Sequence, residues 1–285
     1  MKIGFLGYGE AARAFHDGLA RDGLTFLAHD LKLAAGDVAM RRAMADRGAV
    51  PCRAVAGLSE ADWIFSAVTA DQSLLAIEPL LPHLRQGQVV FDINSVSPDR
   101  KRETSVRVEQ AGARYLDMAV MAPVHPRRQA TPVLLAGPDA EGLLPDLLAL
   151  GFSATVAAGG PGAATAIKMV RSVFVKGLEA ITVETLLAAE ASGCLEAIVA
   201  SISGSYPGLD WPRSAEYQFE RTTAHGARRS AEMRECAATL DALGLSGGLA
   251  HAIADVQAEM GLVGKVAGGD LAAVVRAALA GRRQK

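Results

Sequence analysis

Short apolar runs punctuate the first half of the chain, at Ile3 to Leu6, Thr25 to His29, Trp63 to Val68, Val89 to Ile93, Arg114 to Met118, Val133 to Ala136 and Ser153 to Val156, with helix-length stretches between them. That alternation predicts parallel strands joined by crossover helices. Past Pro161 the period changes. From Gly162 to Gly193 there is no proline, and Ala163, Ile167, Val170, Phe174, Leu178 and Ile181 recur at three and four residue intervals, which predicts one long helix. Helical periodicity returns from about Pro212 to Leu243, Gly247 to Gly261 and Leu271 to Leu279. The expected fold class is α/β, a doubly wound parallel sheet followed by an all-α C-terminal domain. The breaker run Gly159-Gly160-Pro161-Gly162 marks the boundary, giving domains 1–158 and 159–285.

Composition fits this division. At 285 residues the chain exceeds the usual size of one core, and with 50% hydrophobic and 21% charged residues it belongs with folded globular proteins. A net charge of -2 gives no general attraction to nucleic acid or to an anionic membrane. Cys52, Cys194 and Cys236 are widely spaced, without a CxxC or a histidine at metal-ligand spacing, so they read as reduced thiols with no metal. The N-terminus runs straight into Lys2-Ile3-Gly4-Phe5-Leu6, and no apolar run reaches the roughly 18 to 20 residues that cross a bilayer. A cytoplasmic protein is expected.

Candidate chemistry begins at Gly7-Tyr8-Gly9-Glu10-Ala11-Ala12, a G-x-G-x-x-A between the first strand and an amphipathic helix. Gly7 permits a tight turn, Gly9 a close approach of backbone to pyrophosphate, and Ala12 the packing of helix on strand. The helix N-terminus offers N–H groups and a positive dipole end to phosphates. Asp30 closes the second strand 18 residues after Ala12, where a carboxylate accepts from both ribose hydroxyls and repels a 2'-phosphate. Lys32 is the only nearby cation in sequence. The expected cofactor is therefore NAD, with NADP disfavoured, on a Rossmann domain; Val68 and Thr69 are counted with its contacts. The bland alternative is that Asp30 begins a turn and the glycines merely bend the chain.

A second run, Phe91-Asp92-Ile93-Asn94-Ser95-Val96-Ser97-Pro98, closes another strand. Ser97 and Pro98 suit an N-cap and a first helical residue. Asn94 and Ser95 fall just past the carboxyl end of the strand, where open α/β sheets place ligands. With Gly160-Pro161-Gly162-Ala163-Ala164-Thr165-Ala166-Ile167-Lys168-Met169-Val170 added, the chain resembles the β-hydroxyacid dehydrogenase superfamily, which includes 6-phosphogluconate and 3-hydroxyisobutyrate dehydrogenases. The stretch from Lys168-Met169-Val170-Arg171-Ser172 to Arg228-Arg229-Ser230-Ala231-Glu232-Met233 resembles a subgroup of phosphogluconate-dehydrogenase-like proteins with a distinctive helical C-terminal domain. The resemblance spans essentially the whole chain.

It implies that the glycine loop holds the dinucleotide, Ser95 holds substrate and Lys168 moves the proton. Oxidising an alcohol needs a base for the hydroxyl proton, and the reverse reaction needs the same group as an acid. A lysine serves when burial disfavours its charged form, and Arg171 on the next turn pushes the same way. A lysine solvating a helix face is the bland alternative. Several positions depart from the family. Relatives carry asparagine at Ser172, 6-phosphogluconate dehydrogenases carry histidine at Arg171, and the A-P-V-S-G-G substrate loop is here Ala122-Pro123-Val124-His125-Pro126-Arg127-Arg128. A 6-phosphogluconate dehydrogenase is thus not expected. Ser230 and Ala231 fall where relatives have a Lys-Asp pair.

His125, Arg171, Ser172 and His225 are carried as substrate-site candidates. The loop arginines read either as substrate contacts or as a solvated loop. Tyr217 precedes a stripe of Arg221, His225 and Arg229 that reads either as a cover for an anionic substrate or as an exposed basic face. The expected function is NAD-dependent hydride transfer to or from a small anionic 3-hydroxy acid or polyol acid, or the matching carbonyl, in a homodimer. An imine reductase, which generally lacks the lysine, and a non-catalytic NAD sensor are the alternatives.

Overall fold

The computed structural model describes residues 1–20, 23–266 and 270–284. Its elements in chain order are β1 (Lys2–Leu6), α1 (Glu10–Leu19), β2 (Thr25–His29), α2 (Leu31–Ala34), α3 (Val38–Ala45), β3 (Ala49–Pro51), β4 (Trp63–Ser66), α4 (Ser73–Ile77), β5 (Val89–Asp92), α5 (Pro98–Gln110), β6 (Arg114–Val120), β7 (Pro132–Ala136), α6 (Ala140–Ala149) and β8 (Ser153–Val156). The helices α7 (Ala163–Ala191), α8 (Leu195–Ser205), α9 (Arg213–Ala242), α10 (Gly248–Val263) and α11 (Leu271–Arg283) follow. Two compact units divide within α7, at Lys168 and Met169.

The first unit is a Rossmann-like domain. Its eight strands lie in the order β3-β2-β1-β4-β5-β6-β7-β8, so the chain leaves β1 in one direction and resumes on its other side at β4. Such a reversal opens a crevice at the carboxyl ends of the strands. Register places Phe5 beside Phe65 and Phe65 beside Phe91. Their rings stack at 5.9 and 4.9 Å between centroids, an aromatic ladder through the core.

The sheet departs from the expected all-parallel arrangement at one place, where β7 runs antiparallel to β6. The link between them is a loop with one short 3-10 turn, Arg128–Ala130, and a parallel return generally needs a full crossover helix. Strand β3 is a further departure; it is three residues long, ends in Pro51 and, among the described residues, pairs only with β2.

The second unit is helical. The long predicted helix appears as α7, while α8 was not foreseen. Helices α9 and α10 cross at two glycines: a Cβ on Gly226 would lie 2.2 Å from the Gln257 carbonyl oxygen and 2.5 Å from the Gly261 nitrogen. Among the described residues no helix is long and apolar enough to cross a membrane.

Candidate active site

The glycine loop sits at the carboxyl end of β1. Gly7 has φ of +85°, and a Cβ there would meet the Ala67 carbonyl oxygen at 2.5 Å and Val68 Cγ1 at 2.7 Å, so both backbone angle and space require glycine. At Gly9 a Cβ would meet nothing within 4 Å. The loop thus leaves open space beside the start of α1, whose N-cap Gly9 supplies no side-chain cap. Glu10 is exposed in the first turn, Ala11 is half-buried and Ala12 packs fully inward.

Tyr8 is fully buried beneath the loop. Its hydroxyl is 2.5 Å from His16 Nδ1, and the His16 ring lies 4.0 Å from that of Phe26. Burial pushes the Tyr8 hydroxyl up to about 12 and pulls His16 down to about 4.

Asp30 ties this loop to β2. One carboxylate oxygen accepts from the Tyr8 N–H and the other from the Lys32 N–H, both at 2.9 Å. It therefore does cap α2, as the bland reading held, and also pins the glycine loop. Each oxygen keeps a second lone pair, and Asp30 lines a cavity of about 390 Å³ with Gly9, Glu10, Arg13, Lys32 and His125. Arg47 on its wall pairs with Asp17 at 2.7 Å. The three-dimensional neighbourhood holds more cations than the sequence around Asp30 suggests. His125 lines the same cavity. Val68 and Thr69 follow β4, where the Val68 side chain abuts Gly7 and Thr69 is exposed.

The second group of residues lies past β5. Lys168 Nζ donates to Ser95 Oγ at 2.7 Å, uniting two residues 73 positions apart. Asn94 is buried and engaged: Oδ1 accepts from the Val68 N–H at 2.7 Å, Nδ2 donates to Ser66 Oγ at 2.9 Å, and its N–H donates to Asp92 Oδ1 at 2.9 Å. Its amide holds the loops after β4 and β5 together.

The remaining candidates belong to the helical unit. Arg171 is exposed and Ser172 buried on α7, and His225 is half-buried on α9. Arg229 does not extend the basic stripe outward, because it is buried and paired with Glu179. Arg127 and Arg128 are exposed.

Residues unnoticed in the sequence surround the site. Asp92, Lys101 and Asp117 are fully buried and ion-paired, and Asp117 accepts from the Thr165 hydroxyl. One signal was available: Lys101, Thr104, Ser105 and Val108 share the i, i+3, i+4, i+7 spacing of the buried face of α5.

The chain belongs to the family of the NAD binding domain of 6-phosphogluconate dehydrogenase, which matches residues 2–144. Residues 189–260 match a domain of unknown function, DUF1932. A conserved hypothetical protein from Sinorhizobium meliloti 1021 is 34% identical, covering 99% of this chain and 96% of its own, with a TM-score of 0.77. A conserved protein of unknown function, described as structurally similar to 3-hydroxyacid dehydrogenases, is 26% identical over 91% of this chain and 98% of its own, at a TM-score of 0.71. The 3-hydroxyisobutyrate dehydrogenase of Mycobacterium tuberculosis shares the fold, at 19% identity over 96% of this chain and 98% of its own and a TM-score of 0.73. No curated protein matches the chain.

Proposed function

We propose that this protein is an NAD-dependent oxidoreductase that moves a hydride between nicotinamide and a small anionic 3-hydroxy acid or polyol acid, or the matching carbonyl, with Lys168 as general acid and base. The observation that carries the reading is the Lys168 to Ser95 hydrogen bond beyond the carboxyl end of β5. It joins a proton-transfer group to a hydroxyl in the region where open α/β sheets bind ligands.

The residues present suit a dinucleotide. The open space at Gly9 admits a pyrophosphate to the N–H groups opening α1, and the cavity beside it is walled by Asp30. Asp30 has lone pairs left for ribose hydroxyls and repels a third phosphate, and of the cations in the same wall Arg47 is paired with Asp17 while Arg13 and Lys32 face the Asp30 charge; this weights the site towards NAD. The cofactor, when bound, supplies the hydride acceptor or donor.

The protein's own task is the proton. In oxidation Lys168, as a neutral amine, takes the hydroxyl proton of the substrate, and in reduction the ammonium returns it to the carbonyl oxygen. Ser95 Oγ holds the Lys168 amine and offers its own O–H to the substrate oxygen. A lysine so held argues against an imine reductase or a non-catalytic sensor, neither of which calls for it. Beyond the site, we propose a homodimer built on α7, where Val170, Phe174 and Ile181 expose apolar side chains.

The test is a panel of 3-hydroxy acids, polyol acids and matching carbonyls, offered to the purified protein with NAD or NADH. Substrate-dependent cofactor turnover with one structural class is expected. No turnover with any member, under conditions where NAD binds, would set the proposal aside.

A further inference from the structure

Lys101 is completely buried on α5, a position where an ammonium is tolerated only with full compensation. Its Nζ donates to the Asp92 carbonyl oxygen at 2.6 Å and lies 3.0 Å from Asp92 Oδ1 and 3.4 Å from Asp117 Oδ1, so its three protons have three acceptors. The two carboxylates are equally occupied. Asp92 also accepts from the Tyr115 hydroxyl at 2.8 Å and from the Asn94 N–H. Asp117 Oδ2 accepts from the N–H groups of Gly162 at 3.1 Å and Thr165 at 2.9 Å, and its Oδ1 from the Thr165 hydroxyl at 2.7 Å.

The two ends of this cluster lead to the two halves of the site. Asp92 grips Asn94, and Ser95 is the next residue. Asp117 grips the first turn of α7, where it satisfies N–H donors that a helix leaves unpaired, and Lys168 follows Thr165 by one turn. Two carboxylates face one ammonium, and the excess negative charge lies against the positive end of α7. A buried ion pair is a weak source of stability, since well-packed apolar residues often serve as well; what it supplies here is a defined geometry for three elements.

We infer that the buried cluster of Asp92, Lys101 and Asp117 is a positioning device that sets Ser95 and Lys168 at hydrogen-bonding distance. None of its members touches substrate; each acts through Asn94 or through the first turn of α7. The inference rests on the assignment of Lys168 and Ser95 as the reacting pair, but its geometric content is testable without a substrate.

Replacing Lys101 would strand two buried carboxylates and risks losing the fold, so the informative variant is Thr165→Val, which removes one hydroxyl and keeps the shape. Lys168 reactivity is read by acylation with acetic anhydride across a pH series, followed by peptide mass spectrometry and referred to the other lysines of the chain. In Thr165→Val the Lys168 acylation rate is expected to change at least threefold and its pH profile to move. Thr165→Ser, which keeps the hydroxyl, should restore both. NAD affinity should stay within twofold, and kcat on the substrate found by the panel should drop roughly tenfold, since catalysis is sensitive to small misplacements. An unchanged acylation profile in a folded Thr165→Val protein overturns the inference. A shifted profile supports it even where Lys168→Met leaves turnover intact, a result that would instead remove the catalytic reading.

Discussion

Single side chains divide into those whose role follows from local chemistry and those whose role depends on distant partners. Gly7, Gly9 and Asp30 are of the first kind: a positive φ, an open approach and an acid closing β2 are local properties, and all were legible in the sequence. Lys101 and Arg229 are of the second kind. Each is a long cation on a helix, the usual mark of a solvated face, yet each is buried against carboxylates contributed by other elements, Lys101 by the two strands that flank it in sequence and Arg229 by a helix 50 residues away. The cofactor pocket has a direct test in Asp30→Asn, which removes the charge and keeps an acceptor for one of the two amides that Asp30 holds. Calorimetry on the wild type is expected to show NAD bound more tightly than NADP, with the gap narrowed in the variant because Arg13 and Lys32 remain. Equal wild-type affinities would refute the preference. His16 gives a pH prediction. Burial holds it down to about 4 while an unfolded chain titrates near 6.5, so the unfolded state binds more protons between those values. The stabilisation from keeping His16 neutral is complete above pH 6.5 and is lost as pH falls toward 4, by on the order of 3 kcal/mol. Between pH 7.5 and 5.0 the urea midpoint of the wild type should therefore fall further than that of His16→Gln; parallel declines would contradict it.

Among the elements, hydrophobic period located most strands and four of the five described C-terminal helices, although the stripe that marks α7 is largely exposed and records a helix rather than its buried face. It does not record direction, which is why the antiparallel β7 was invisible. It also misses elements too short or too poor in helix formers: β3 is three residues, and α8 carries three serines and a glycine in the stretch Ser201-Ile202-Ser203-Gly204-Ser205. The crossing of α9 and α10 was unreadable for another reason, since Gly226 and Gly261 look like ordinary helical glycines until the two backbones are seen in contact. Gly226→Ala should force them apart and cost about 1–3 kcal/mol, the usual range for overpacking. A fall of several degrees in Tm is expected, and an unchanged Tm would show that the crossing is looser than described.

For the whole molecule, the residues that repeat along α7 were legible as a helix, but not what covers them. Phe174 is 74% exposed and Ile181 64%, on a helix whose opposite side is packed. Phe174→Glu should convert a homodimer to monomer by light scattering at micromolar concentration; a monomeric wild type would refute the dimer. The central claim, that this chain couples a dinucleotide site to proton transfer at Lys168, is tested most directly by Lys168→Met on the substrate class that the panel identifies. The substitution keeps the side chain's stem and leaves the glycine loop untouched. NAD affinity should be unchanged while kcat falls by about 10²- to 10⁴-fold, the usual contribution of a general acid or base. Near wild-type turnover in a folded Lys168→Met protein would contradict the account.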